Sequence, residues 1–104
     1  MDNFENVTIV KKANIYFDGG VTSRTVQFPD GSVKTLGMMQ PGEYSFNTDK
    51  KEIMDILFGE VEVLLPDEKE WQRFSAGETF EVKANASFQI KALSLTDYCC
   101  SFVD

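Results

Sequence analysis

Glu52 is the residue around which chemistry is most readily built in this chain. It precedes Gly59 by seven positions, and Thr48 and Phe46 precede it by four and six. The three share even parity, so an extended stretch projects them to one face. The sequence contains no histidine, which removes the commonest metal ligand and the usual general base near neutral pH. A lone carboxylate between a phenyl ring and a hydroxyl does not hold a transition metal. What remains is a carboxylate that accepts hydrogen bonds from hydroxyl groups and offers negative charge to a developing cation. The plainer alternative is an ion pair between Glu52 and Lys50 or another strand partner.

Covalent catalysis has little to work with. The two cysteines, Cys99 and Cys100, are adjacent. Neighbours on a strand point to opposite faces, so they are read as reduced packing residues rather than a disulfide. No base or cation stands beside Cys100 in sequence to lower its pKa.

These residues must be positioned by strands. Short segments rich in Val, Ile, Phe, Tyr and Thr recur between turn signals: 13–17, 21–28, 32–39, 43–47, 52–58, 60–65, 71–74, 79–82, 87–92 and 96–103. Pro29-Asp30-Gly31 reads as a tight turn, with proline preset for the bend and glycine free to take positive φ. Glu60 and Glu62 alternate with Val61 and Val63; Tyr98, Cys100 and Phe102 share one face. No window carries a helical stripe. Residues 1–12 fit a short helix or a strand equally. Many short strands at this spacing predict an all-β sandwich or barrel.

The chain has 104 residues, enough for one domain. Ten basic and seventeen acidic residues give a net charge of −7. That argues against nucleic acid as a partner, which calls for a basic surface. No apolar run reaches the ~18 residues that span a bilayer, and the acidic start lacks the pattern of a secretory signal. A cytoplasmic protein with no membrane partner is expected.

Phe46, Thr48, Glu52 and Gly59 also occupy the slots of the first cupin motif, His-x-His-x3-Glu-x6-Gly. Phe46 and Thr48 stand where that motif has histidines. The second motif, Gly-x5-Pro-x-Gly-x2-His, reads from Gly77 with Lys83, Asn85 and Phe88 in its later slots. A closer likeness runs through Gly42-Glu43-Tyr44-Ser45-Phe46-Asn47-Thr48, Glu52-x-Met54, Gly59, Val63-Leu64-Leu65-Pro66-Asp67, Trp71 and Ala76-Gly77-x-x-Phe80-x-Val82. Asn14-x-Tyr16-Phe17-x-Gly19 and Tyr98-x-Cys100 extend it to residues 14–102. In these features the sequence resembles the small pyrimidine/purine nucleoside phosphorylase family.

The resemblance implies an all-β cupin jelly-roll barrel over residues 13–104, with 1–12 as an N-terminal extension. It implies phosphorolysis of purine and pyrimidine nucleosides by inorganic phosphate, a homodimer, and neither metal nor cofactor. Lys83 stands where family members usually have proline, Asp55 replaces a typical threonine, and Ser101 replaces an arginine.

Within that frame Glu52 is the candidate catalytic residue. Tyr44, Phe46 and Phe88, with Thr48 and Met54, are expected to line the substrate pocket. Aromatic residues at period two are equally ordinary barrel core. For phosphate, arginine suits bidentate binding, which favours Arg73 and then Arg24. Backbone N–H groups in a turn are the alternative. The competing reading of the whole chain is a non-catalytic, metal-free cupin that binds a nucleoside or sugar.

Overall fold

The computed structural model describes residues 3–104; Met1 and Asp2, the start of the expected extension, lie outside them. Eleven strands follow one another: β1 (Thr8–Ile9), β2 (Asn14–Tyr16), β3 (Val21–Gln27), β4 (Val33–Met39), β5 (Gly42–Asn47), β6 (Lys51–Phe58), β7 (Glu60–Leu64), β8 (Gln72–Ser75), β9 (Thr79–Val82), β10 (Ser87–Ala92) and β11 (Thr96–Val103). A seven-stranded sheet has the order β1-β3-β4-β11-β6-β9, with β2 also on β3; a four-stranded sheet has the order β5-β10-β7-β8. Their inner faces pack together as the jelly roll that the strand spacing and the resemblance imply.

Alternation sorts the side chains. On β11 Tyr98 and Cys100 face the interior; opposite them stand Phe88 and Ile90 of β10 and Val61 and Val63 of β7, all buried. The turns follow their chemistry. The Asp30 carboxylate accepts from the backbone N–H and hydroxyl of Ser32 at 2.8 and 2.6 Å, and Gly31 takes a φ of 90°. Gly59, at φ 91°, joins β6 of the larger sheet to β7 of the smaller one.

Three local features depart from the sequence reading or resolve it. Among the described residues of the N-terminal stretch, 3–12, there is a strand and no helix: β1 pairs with β3 through Ile9 and Val26, and Phe4 packs edge-on against Phe28 at 5.1 Å. Phe17 ends β2 early, entering a 3-10 turn in which Phe17, Asp18 and Gly19 all have positive φ. The common face expected for Phe46, Thr48 and Glu52 does not exist. Phe46 lies on β5 of the smaller sheet and Glu52 on β6 of the larger one. The chain crosses from one sheet to the other at residues 48–50, and parity along an extended strand carries no information across that crossing.

Candidate active site

At one end of the sandwich the sheets part around a cavity of about 470 Å³, within the ~300–1,000 Å³ range of small-molecule sites. The smaller sheet contributes Phe46 and Phe88. These are directly cross-strand and stacked, with ring centroids 5.8 Å apart. Tyr16 closes the rim, its ring edge-on to Phe46 at 6.1 Å. The larger sheet contributes Glu52 and Met54 of β6, Tyr98, Cys100 and Phe102 of β11, Thr35 and Met39 of β4, and Ser23 of β3. Asn47, Asp49 and Lys50 border the cavity from the β5–β6 crossing.

Glu52 sits opposite Phe102 in the β6–β11 ladder, diagonal to Cys100 on the same inner face. Burial raises its carboxyl above the ordinary value; a hydrogen bond from the Cys100 thiol partly offsets this. Burial first, and the Glu52 charge next, hold the Cys100 thiol protonated. The thiol is therefore a donor to Glu52 and a poor nucleophile. Lys50 does not pair with Glu52; its ammonium lies 2.7 Å from Asp104. Tyr98 has its phenol held neutral, mainly by burial.

The structure thus brings Glu52, Phe46, Met54 and Phe88 to one cavity and leaves Tyr44, Thr48 and Arg73 out of its wall. The Tyr44 hydroxyl donates to the Gln40 carbonyl at 2.7 Å beneath the ring of Phe17, so its polar end is occupied in the core. Thr48 ties two turns together: its hydroxyl donates to the Lys83 carbonyl at 2.7 Å and accepts from the Ala86 N–H at 3.1 Å. Arg73 lies on β8 at the edge of the smaller sheet and pairs with Glu60 across the β7–β8 ladder. Arg24 donates to the Lys11 carbonyl on the outside. Trp71 sits away from the cavity under the Lys91 ammonium, 4.0 Å from the ring centre.

Tyr16, Ser23, Thr35, Tyr98 and Cys100 were not singled out from sequence as site residues. Alternation along β11 placed Tyr98 and Cys100 on one face, but only the β6–β11 register shows that Glu52 shares it. Ser23 and Thr35 carry no local signal. Among the described residues no three His, Cys, Asp or Glu side chains converge as a ligand set.

Residues 11–102 match the model of the family described as pyrimidine/purine nucleoside phosphorylase. A relative of that name from Geobacter sulfurreducens is 62% identical over 103 residues, covering 99% of each chain. Among solved structures, a protein of unknown function from Acinetobacter sp. ADP1 superimposes with a TM-score of 0.94 at 41% identity, over 97% of this chain and 98% of its own. An RmlC-like cupin from Shewanella frigidimarina superimposes with a TM-score of 0.70 over 97% of this chain and 86% of its own, at 16% identity. That likeness speaks for the cupin fold alone. The full-length match and the family model together show that the chain belongs to the pyrimidine/purine nucleoside phosphorylase family.

Proposed function

We propose that this protein catalyses phosphorolysis of purine and pyrimidine nucleosides. Phosphate oxygen forms a bond to C1′ of the ribose as the bond from C1′ to the base nitrogen breaks. The products are free base and ribose 1-phosphate. The observation that carries this reading is a half-buried carboxylate, Glu52, on the inner wall of a cavity whose opposite wall is the stacked pair Phe46 and Phe88.

The chemistry follows from that arrangement. Glycosidic cleavage develops positive charge at C1′. An ionised carboxylate in a partly desolvated site stabilises such charge far better than one in water. Glu52 accepts hydrogen bonds from the ribose hydroxyls and faces the developing cation. The Cys100 thiol steadies its orientation. Phe46 and Phe88 stack on the base, with Tyr16 at the rim; every base has a π-face, so stacking tolerates both purines and pyrimidines at about 1–3 kcal/mol per base. Met54 packs behind Glu52 on the same strand face. Tyr44 and Thr48 support the frame, and Arg73 takes no part.

A homodimer fits the exposed apolar side chains Leu36, Met38, Leu57 and Phe58 on the larger sheet. Two free cysteines fit a reducing, cytoplasmic setting. The net charge of −7 disfavours nucleic acid.

The test is incubation with uridine, adenosine and guanosine, with and without phosphate. Free base appearing with phosphate supports the enzyme. Base released equally without phosphate points to a hydrolase. Nucleoside bound but never cleaved points to the non-catalytic binder.

A further inference from the structure

Phosphorolysis needs a place for an anion, and this cavity is poor in cations. Both arginines are engaged outside it. Lys50 stands at its border, paired with Asp104 and flanked by Asp49. An arginine inside the cavity would pair with Glu52 and cancel the charge that the reaction uses.

The larger sheet offers hydroxyl groups instead. Ser23 on β3 and Tyr98 on β11 both sit opposite Gly37 of β4, one on each side of it. Thr35, two residues from Gly37, has its side chain on the same inner face and also lines the cavity. The glycine is what draws the group together. A Cβ at position 37 would lie 2.5 Å from Cζ and from the hydroxyl oxygen of Tyr98. The tyrosine ring therefore lies across bare backbone, and its hydroxyl and that of Ser23 both line the cavity.

Asn14 supports the group from the neighbouring strand. The Asn14 amide donates to the Ser23 hydroxyl oxygen at 3.2 Å and to that of Thr25 at 3.3 Å. Asn14 thus fills an acceptor position of Ser23, and the hydroxyl protons of Ser23, Thr35 and Tyr98 can be offered to a ligand in the cavity they line. Burial keeps the phenol neutral, so it remains a donor across the physiological range.

We propose that Ser23, Thr35 and Tyr98 form the phosphate subsite and hold the anion through neutral hydroxyl donors rather than through arginine or lysine. The assignment rests on the phosphorylase reading. It places phosphate on the larger sheet and the base on the aromatic pair of the smaller one. The ribose lies between, as an attack opposite the leaving group requires. Hydrogen bonds to a charged acceptor are stronger than neutral ones, so uncharged donors suffice for a substrate that must bind and leave.

Y98F, T35V and S23A are compared with the wild-type protein for the KM of phosphate, the KM of uridine and the thermal midpoint. Titration with inorganic phosphate alone, followed by 31P NMR, gives a readout independent of turnover. Y98F is expected to raise the KM and Kd for phosphate about tenfold or more, one charged hydrogen bond. T35V and S23A shift them in the same direction, with uridine KM little changed. Folded Y98F and T35V that bind phosphate as the wild type does would overturn the subsite, as would a rise confined to uridine KM. K50Q that alone abolishes phosphate binding would overturn it too. Wild-type protein that binds phosphate at the hydroxyls without cleaving nucleosides would refute the reaction and leave the subsite standing. Phosphate-dependent cleavage undiminished in every hydroxyl variant would do the reverse.

Discussion

Substituting Gly37 with alanine tests whether Tyr98 is held where the cavity needs it. The added methyl would lie 2.5 Å from the Thr22 carbonyl oxygen and from Cζ and the hydroxyl of Tyr98, against the 3.4 Å at which ordinary contact begins. Roughly 0.9 Å must therefore be recovered (3.4 − 2.5). Thr22 belongs to the β3–β4 ladder, where it pairs with Met38. The tyrosine moves most readily, and the β3–β4 backbone must also give to clear the Thr22 carbonyl. Overpacking of this kind costs about 1–3 kcal/mol. Replacing a strand glycine by alanine returns about 0.5–1 kcal/mol of backbone entropy. At the middle of those ranges the difference is about 1 kcal/mol of lost stability, or roughly a 4–8 °C drop in thermal midpoint for a domain of this size. The displaced hydroxyl also leaves its place in the cavity wall, so phosphate KM rises while the folded fraction still binds uridine. Scanning calorimetry and initial rates against phosphate read both effects. A G37A protein with an unchanged or higher midpoint and unchanged phosphate KM would refute the packing argument.

Glu52→Gln is expected to lower turnover by about 10²-fold or more, the scale of removing one preorganised electrostatic group. It should also raise stability at neutral pH. The folded-state pKa of Glu52 is raised by burial, so the native state favours the protonated form. Wild-type stability therefore falls as pH rises from the ordinary value of 4.5 through the folded pKa. Glutamine lacks this loss, so thermal midpoints of the two proteins should converge below pH 4.5 and separate above it. Midpoints that stay parallel across that range would contradict the burial of the carboxylate. Thr48→Val should cost about 1–3 kcal/mol by stranding the Lys83 carbonyl and the Ala86 N–H, seen in urea unfolding, with uridine KM unaltered; a shifted KM would return Thr48 to the site. Arg73→Ala removes an exposed pair with Glu60 and should change stability by less than about 1 kcal/mol, with both KM values unchanged in steady-state assays.

Much of the fold was legible because its causes are local. Alternating Val61 and Val63, and Tyr98, Cys100 and Phe102, mark strands and their inner faces without reference to any distant residue. Proline, aspartate and glycine at 29–31 mark a turn for the same reason. Phe17 was misread as strand because its positive φ is imposed by packing against Tyr44 and Phe46, which no window around it reveals. The site was half legible. Glu52, Phe46 and Phe88 were found through spacing, although Phe46 and Glu52 meet from opposite sheets and not along one strand face. Tyr44 and Thr48 share that spacing but spend their hydroxyls on Gln40 and on Lys83 with Ala86, a fact of tertiary hydrogen bonding. The hydroxyls of Ser23, Thr35 and Tyr98 converge only through the pairing of β3, β4 and β11 around Gly37. Long-range register of that kind has no signature in a single sequence.

The central claim is phosphorolysis in the Glu52 cavity, and the most direct measurement is uracil released from uridine as phosphate is varied. Wild-type and E52Q proteins of matched folding are compared, with ribose 1-phosphate quantified alongside. Phosphorolysis at Glu52 predicts saturable dependence on phosphate, one ribose 1-phosphate for each uracil, and near loss of both in E52Q. Uracil release that ignores phosphate, yields free ribose, or persists undiminished in E52Q would contradict it.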